Sequence, residues 1–134
     1  MSLYTEDFIG RLPRAKYTEA QIDSNRRKYV AALKRTKRQC RRSMFDDKVP
    51  CAIGLAVRLF FGVRSEEEYN ALLDRPGFVD FYTMVGELLG IPFQAFPDAH
   101  GKGPLTVRDI YQWNDSDELS FKEIAAKLTK AWGL

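Results

Sequence analysis

The chain is short of the residues that most often carry chemistry. It has one histidine, His100, and two cysteines, Cys40 and Cys51, in 134 residues. Two cysteines in no recognisable spacing exclude a disulfide framework and fit a reducing, cytoplasmic setting. Gly101-Lys102-Gly103 lacks the spacing of a phosphate loop and no catalytic metal centre is supported, so no metal and no cofactor is expected. Long apolar runs are lacking too. The most apolar stretch, residues 51–63, is too short to span a bilayer and is broken by Arg58, so no membrane association is expected. The first twenty residues carry acids early and have no basic start followed by an apolar run, so no secretory signal is expected. Acids, in turn, are missing altogether between Ser24 and Phe45.

What is present suffices for a core. Hydrophobic residues make up 45% of the chain and aromatics 13%, more than a disordered chain of this length carries. No alternating strand pattern is visible, and helix start and stop signals recur. The expected fold is all-α: one compact domain of five or six helices over 1–134, with 1–17 as an N-terminal arm and 91–105 as a long loop.

Thr18 and Gln21 have the spacing of a capping box, and Ile22, Tyr29, Leu33 and Cys40 then share one helical face. A second helix is expected to open after Pro50 and stop at Gly62; apolar nearly all round, Cys51–Phe61 belongs at the centre of the fold. Ser65 followed by Glu66, Glu67 and Glu68 marks a third start. A fourth helix is expected from about Phe78 to Leu89, stopped by Gly90 and Pro92. The fifth runs from Thr106 to about Trp113, and the sixth opens at Ser120 with Glu123 completing a second capping box.

The strongest functional signal is charge. Nine of the chain's 21 cationic residues (Arg26, Arg27, Lys28, Lys34, Arg35, Lys37, Arg38, Arg41 and Arg42) fall in the acid-free stretch, while all 18 acids lie elsewhere. On a continuous helix turning about 100° per residue, Arg27, Lys34, Arg38 and Arg41 line one stripe opposite the Ile22/Tyr29/Leu33 face, flanked by Lys28, Arg35 and Arg42. An ordinary solvated helix interleaves acids four residues away. The stripe therefore predicts a non-enzymatic binding module that engages nucleic acid or an acidic protein through Arg27, Lys34, Arg35, Arg38, Arg41 and Arg42. The bland alternative is a solvated face neutralised within the fold by Glu66 to Glu68. No aromatic interleaves the stripe, which argues against base stacking on single strands.

Other candidates are weaker. Cys51 at a helix start with His100 is the one nucleophile–base pair available, and it defines a second reading: a small enzyme or ligand binder using the 91–105 loop. Against it, a cysteine opening an apolar segment is ordinarily an inert small hydrophobe, and no third orienting group stands out. No catalytic residue is assigned. A third reading is a protein-interaction factor whose basic helix is incidental. Ser120–Leu128 looks like the opening helix of a helix-turn-helix, but with six residues after it in this sequence a complete motif is not expected. Gln112, Asn114, Ser116 and Glu123 can be set against a calcium loop, yet Gln112 stands for an aspartate and Asp117 for the turn glycine. Asn114-Asp115 reads better as a helix end and turn.

Five segments together resemble a set of small uncharacterised proteins of bacteria and their phages. The matching segments are Tyr29-Val-Ala-Ala-Leu33, Cys51-Ala-Ile-Gly-Leu55, Leu89-Gly-Ile91, Trp113-Asn-Asp115 and Ser120-Phe-Lys-Glu-Ile-Ala125. In that set the second segment reads Cys-Cys-Leu-Gly-Val, so Ala52 replaces a second cysteine, and Trp113 stands for a leucine. Order and rough spacing agree over about residues 26–130. The resemblance implies a shared fold and a bacterial or phage-related source, and no activity.

Overall fold

The computed structural model describes residues 17–74, 80–93 and 105–134. Six helices and one two-stranded hairpin make up these residues. They are α1 (Glu19–Arg35), β1 (Phe45–Asp46), β2 (Val49–Pro50), α2 (Ala52–Phe61), α3 (Glu66–Leu73), α4 (Phe81–Leu89), α5 (Val107–Asp115) and α6 (Phe121–Trp132). The all-α expectation holds, with the hairpin as a small addition. The expected N-terminal arm, except Tyr17, the expected first residue of α4, Phe78, and most of the 91–105 loop with His100 lie outside the described residues.

Local cap chemistry sets most boundaries. Capping boxes open α1 at Thr18, α5 at Thr106 and α6 at Ser120, each pairing a hydroxyl with the N3 backbone N–H and the N3 side chain with the cap N–H. Ser65 accepts from the Glu68 N–H at the start of α3, and Asp80 from the Tyr82 N–H at the start of α4. Gly62 and Gly90 close α2 and α4 in the left-handed region.

α1 ends earlier than its sequence suggests. Thr36 turns extended (φ −86°, ψ 124°), and its hydroxyl donates to the Ala32 carbonyl at 2.6 Å. Residues 36–44 then run without helix, so Cys40 does not continue the Ile22/Tyr29/Leu33 face. α2 does open after Pro50 and stop at Gly62, with Cys51 as its cap. Pro50 itself closes β2, pairing with Phe45 in an antiparallel ladder whose turn puts Asp47 at φ 56°.

α2 occupies the centre, packing on α1, α4, α5 and β2. Ala52 to Val57 are all buried, while Arg58 to Phe61 are half-buried. Gly54 is required: a Cβ there would be driven into the Met44 carbonyl oxygen, which already accepts from the Cys51 N–H at 2.9 Å. The close neighbour is thus the chain entering the hairpin. Tyr29 is fully buried and donates its hydroxyl to Ala52 O at 2.6 Å, tying α1 to α2. α1 packs chiefly on α6 and also on α4.

Candidate anionic-partner interface

The nine cations of the acid-free stretch have three different fates. Arg26 is structural. Its guanidinium donates to the carbonyls of Leu89 (2.8 Å) and Gly90 (3.4 Å) and lies 4.9 Å from the Trp132 ring centroid. A cation there sits on the negative end of the α4 dipole, and desolvation lowers its pKa. Asn25 assists by donating to Leu88 O at 3.1 Å.

Arg41 is structural as well. Its Nη2 donates to Glu118 O at 2.8 Å and Leu119 O at 3.2 Å, and its Nε is buried without a hydrogen-bond partner. Arg27 pairs with Asp23 at 2.9 Å, an exposed i,i+4 ion pair that the acid-free window just misses. Such a pair contributes at most about 1 kcal/mol.

The remaining six, Lys28, Lys34, Arg35, Lys37, Arg38 and Arg42, are exposed and make no ion pair with any described residue. Glu66, Glu67 and Glu68 do not reach them; Glu68 instead accepts from the Arg64 backbone N–H at 2.6 Å. The single helical stripe is therefore corrected. Lys28, Lys34 and Arg35 belong to α1, whereas Arg38, Arg41 and Arg42 lie on the non-helical segment 36–44, and Arg41 is turned to the α5–α6 connection.

That segment is held in place by polar side chains. Asn114, fully buried in the last turn of α5, uses both ends of its amide. Its Oδ1 accepts from Gln39 Nε2 (2.7 Å) and the Ala52 N–H (3.0 Å); its Nδ2 donates to Cys40 O (3.0 Å) and Asp115 Oδ1 (2.8 Å). Gln39 also donates to Leu119 O at 2.9 Å and accepts from the Phe121 N–H at 3.1 Å. Asp115 Oδ1 accepts from the Arg42 N–H at 2.8 Å, fixing Arg42 at φ 66°. One buried asparagine thus joins the basic segment, the start of α2 and the α5–α6 turn. Segments 51–55, 113–115 and 120–125 are brought together here.

α6 adds cations from a distant part of the chain. Lys122, Lys127 and Lys130 are exposed; Lys127 stacks 5.4 Å from the Trp113 ring centroid, and Lys122 and Lys130 share a groove with Lys34. The Glu123 carboxyl, bonded by the Ser120 N–H and hydroxyl with Arg41 and Lys127 nearby, is held below the usual carboxylate range.

Cys51 is buried and caps α2, its sulfur accepting from the Gly54 N–H at 3.3 Å. Burial pushes its thiol up to about 12. His100, its suggested partner, lies outside the described residues. The calcium-loop candidates do other work: Asn114 is saturated by the contacts above, and the Glu123 carboxylate accepts from the Ser120 N–H at the start of α6. Among the described residues no group of three or more His, Cys, Asp or Glu is arranged to hold a metal, and no helix is long and apolar enough to cross a membrane.

The chain matches no protein-family model, no curated protein and no solved structure. The geometry therefore carries the functional argument. Sequence reasoning singled out the cations and read Asn114-Asp115 as a helix end, but it missed the hold that Gln39 and Asn114 have on segment 36–44. No pattern marks a buried asparagine three of whose partners lie more than sixty residues away.

Proposed function

We propose that this chain is a non-enzymatic binding module that engages a negatively charged partner, nucleic acid or acidic protein, through an exposed basic face. The face comprises Lys28, Lys34, Arg35, Lys37, Arg38 and Arg42. One observation carries the reading: these six cations stand exposed without an ion pair to any described residue, four of them on or beside a segment fixed by Gln39 and Asn114. Like charges this close repel within a Debye length of about 10 Å, and an anionic partner relieves that repulsion and releases its own counterions. A pinned segment loses little conformational freedom on binding, which favours affinity.

Within this reading Arg41 and Arg26 position the face instead of contacting the partner, and Arg27 contributes only after leaving Asp23. The Cys51 thiol, buried and held protonated, gives the enzyme alternative no support. Both cysteines are free thiols, which agrees with a cytoplasmic location. The order of the five shared segments supports a bacterial or phage-related source.

Fluorescence anisotropy with labelled duplex DNA and with polyglutamate across a salt series tests the proposal. Binding is expected to weaken log-linearly with salt, and the double variant Arg35→Gln/Arg38→Gln to flatten that slope by about one unit per lost contact, with an unchanged circular dichroism spectrum. Absence of binding to every polyanion near about 50 mM salt would leave the face a solvated surface, whatever its charge.

A further inference from the structure

The α1–α6 junction carries a groove that the charge pattern alone does not disclose. Its volume is about 800 Å³, and it is lined by Lys34 of α1 and by Lys122, Ala126, Thr129, Lys130, Gly133 and Leu134. On α6 these positions recur at i, i+4, i+7, i+8 and i+11, one side of a helix. The core side of the same helix is Phe121, Ile124, Ala125 and Leu128. The groove side is therefore an adjacent face left uncovered by the described residues. Small residues make the depression: Ala126 presents one methyl group, and a Cβ on Gly133 would meet nothing within 4 Å. The Leu134 N–H donates to Thr129 O at 2.9 Å, folding that leucine back onto the helix end with its side chain half-exposed.

The two halves of this surface ask for different things. A phosphate backbone would use the three ammonium groups and leave the apolar floor unused. A purely apolar ligand would leave three lysines around it unneutralised. We propose that the groove docks an acidic, amphipathic peptide segment of a partner protein, with an apolar side chain on the Ala126/Gly133/Leu134 floor and carboxylates on Lys34, Lys122 and Lys130. Eight residues of helix separate Lys122 from Lys130, about 12 Å along the axis. Carboxylates two helical turns apart, or about four residues apart in an extended strand, match that spacing. The lysine stems add apolar wall while their heads stay at the rim, and the rest of the basic face steers the acidic segment in. This inference rests on the anionic-partner reading and narrows it to an acidic protein.

The test uses the whole chain and anisotropy of labelled synthetic peptides in which the numbers of Glu and of Leu vary independently, with duplex DNA alongside. Tight binding is expected only for peptides carrying both residue types. Lys122→Glu/Lys130→Glu is expected to weaken it about tenfold or more, and Ala126→Trp, which fills the floor without changing charge, to weaken it as well. Ala126 is exposed, so that variant is expected to keep its helical spectrum. Equal affinity for peptides with Leu replaced by Ser, or full binding by both variants, overturns the groove while leaving a charge-driven face intact. Binding to DNA but to no peptide does the same. Failure to bind peptide, polyglutamate and DNA alike sinks the broader reading along with this one.

Discussion

Replacing Asn114 tests whether a buried amide holds the basic segment to the fold. Asn114→Ala removes four hydrogen bonds at once and strands two backbone groups, the Ala52 N–H and the Cys40 carbonyl, while Gln39 retains Leu119 O. Each buried orphan costs about 1–3 kcal/mol. The expected loss is therefore about 3–5 kcal/mol, a large share of the roughly 5–15 kcal/mol that keeps a domain folded. Differential scanning calorimetry should show Tm falling by roughly 10 °C or more. Asn114→Asp separates hydrogen bonding from packing, because it keeps the shape. Its second oxygen would replace a donor and face two acceptors, Cys40 O and Asp115 Oδ1. Only the protonated carboxyl can donate there, so its folded pKa lies above its unfolded value of about 3.9. A raised folded pKa means that the group's stabilising contribution is fully present below the unfolded pKa and lost as pH rises through the folded one. The aspartate variant should thus approach the native protein near pH 4 and fall well short of it at pH 7. An alanine penalty below about 1 kcal/mol, or an aspartate deficit that grows on acidification, refutes the argument.

Two further outcomes follow from the core. Gly54→Ala should destabilise by about 2–3 kcal/mol in urea unfolding, although alanine is the better helix former by about 1 kcal/mol, because the new methyl meets the Met44 carbonyl. A stabilised variant would show that the hairpin entry can move aside. Cys51 should resist thiol reagents until the chain unfolds. Its thiol rises from 9.0 to about 12 on folding, so it favours the native state fully below about pH 9 and that contribution is lost as pH climbs towards 12. The native protein should therefore lose stability above pH 9 faster than Cys51→Ala, by up to about 1.4 kcal/mol per pH unit. Tyr29, also pushed up by burial, adds its own loss only above its ordinary value of 10.0. Identical slopes for the two proteins between pH 9 and 10 would contradict a buried thiol.

Legibility in the sequence tracked the range of the forces involved. Thr18, Ser65 and Ser120 act on backbone groups within one turn, and Gly62 and Gly90 set their own dihedrals, so those ends were readable. Thr106 was readable as a start, while its capping box with Asp109 uses a shorter acid than the usual Glu or Gln. The end of α1 was not readable. Residues 36–42 contain no Pro or Gly, and Lys, Arg and Gln favour helix. What stops the helix is tertiary: Gln39 and Arg41 take carbonyls at Glu118 and Leu119. Two-residue strands offer no periodicity, and the Asp47 turn lacks glycine, so the hairpin left no trace. The candidate site inherits both cases. Which residues are cationic was plain from composition, whereas the break in their helical stripe, and the groove they share with α6, depend on contacts across most of the chain.

The same long-range clamp has a thermodynamic corollary. Gln39 reaches Asn114 and Leu119 across 75 and 80 positions, so segment 36–44 has its native shape only once α5 and α6 are docked. Its charges, by contrast, are contiguous in sequence and persist when the chain unfolds. On the proposed reading a polyanion would therefore bind the denatured ensemble as well as the folded one, and any ligand stabilises only by its preference for the folded form. Melting-temperature screens will register a weak shift even for a tight polyanion. A ligand that reads the assembled groove between α1 and α6, which has no counterpart in the unfolded chain, will shift the same transition in proportion to its affinity.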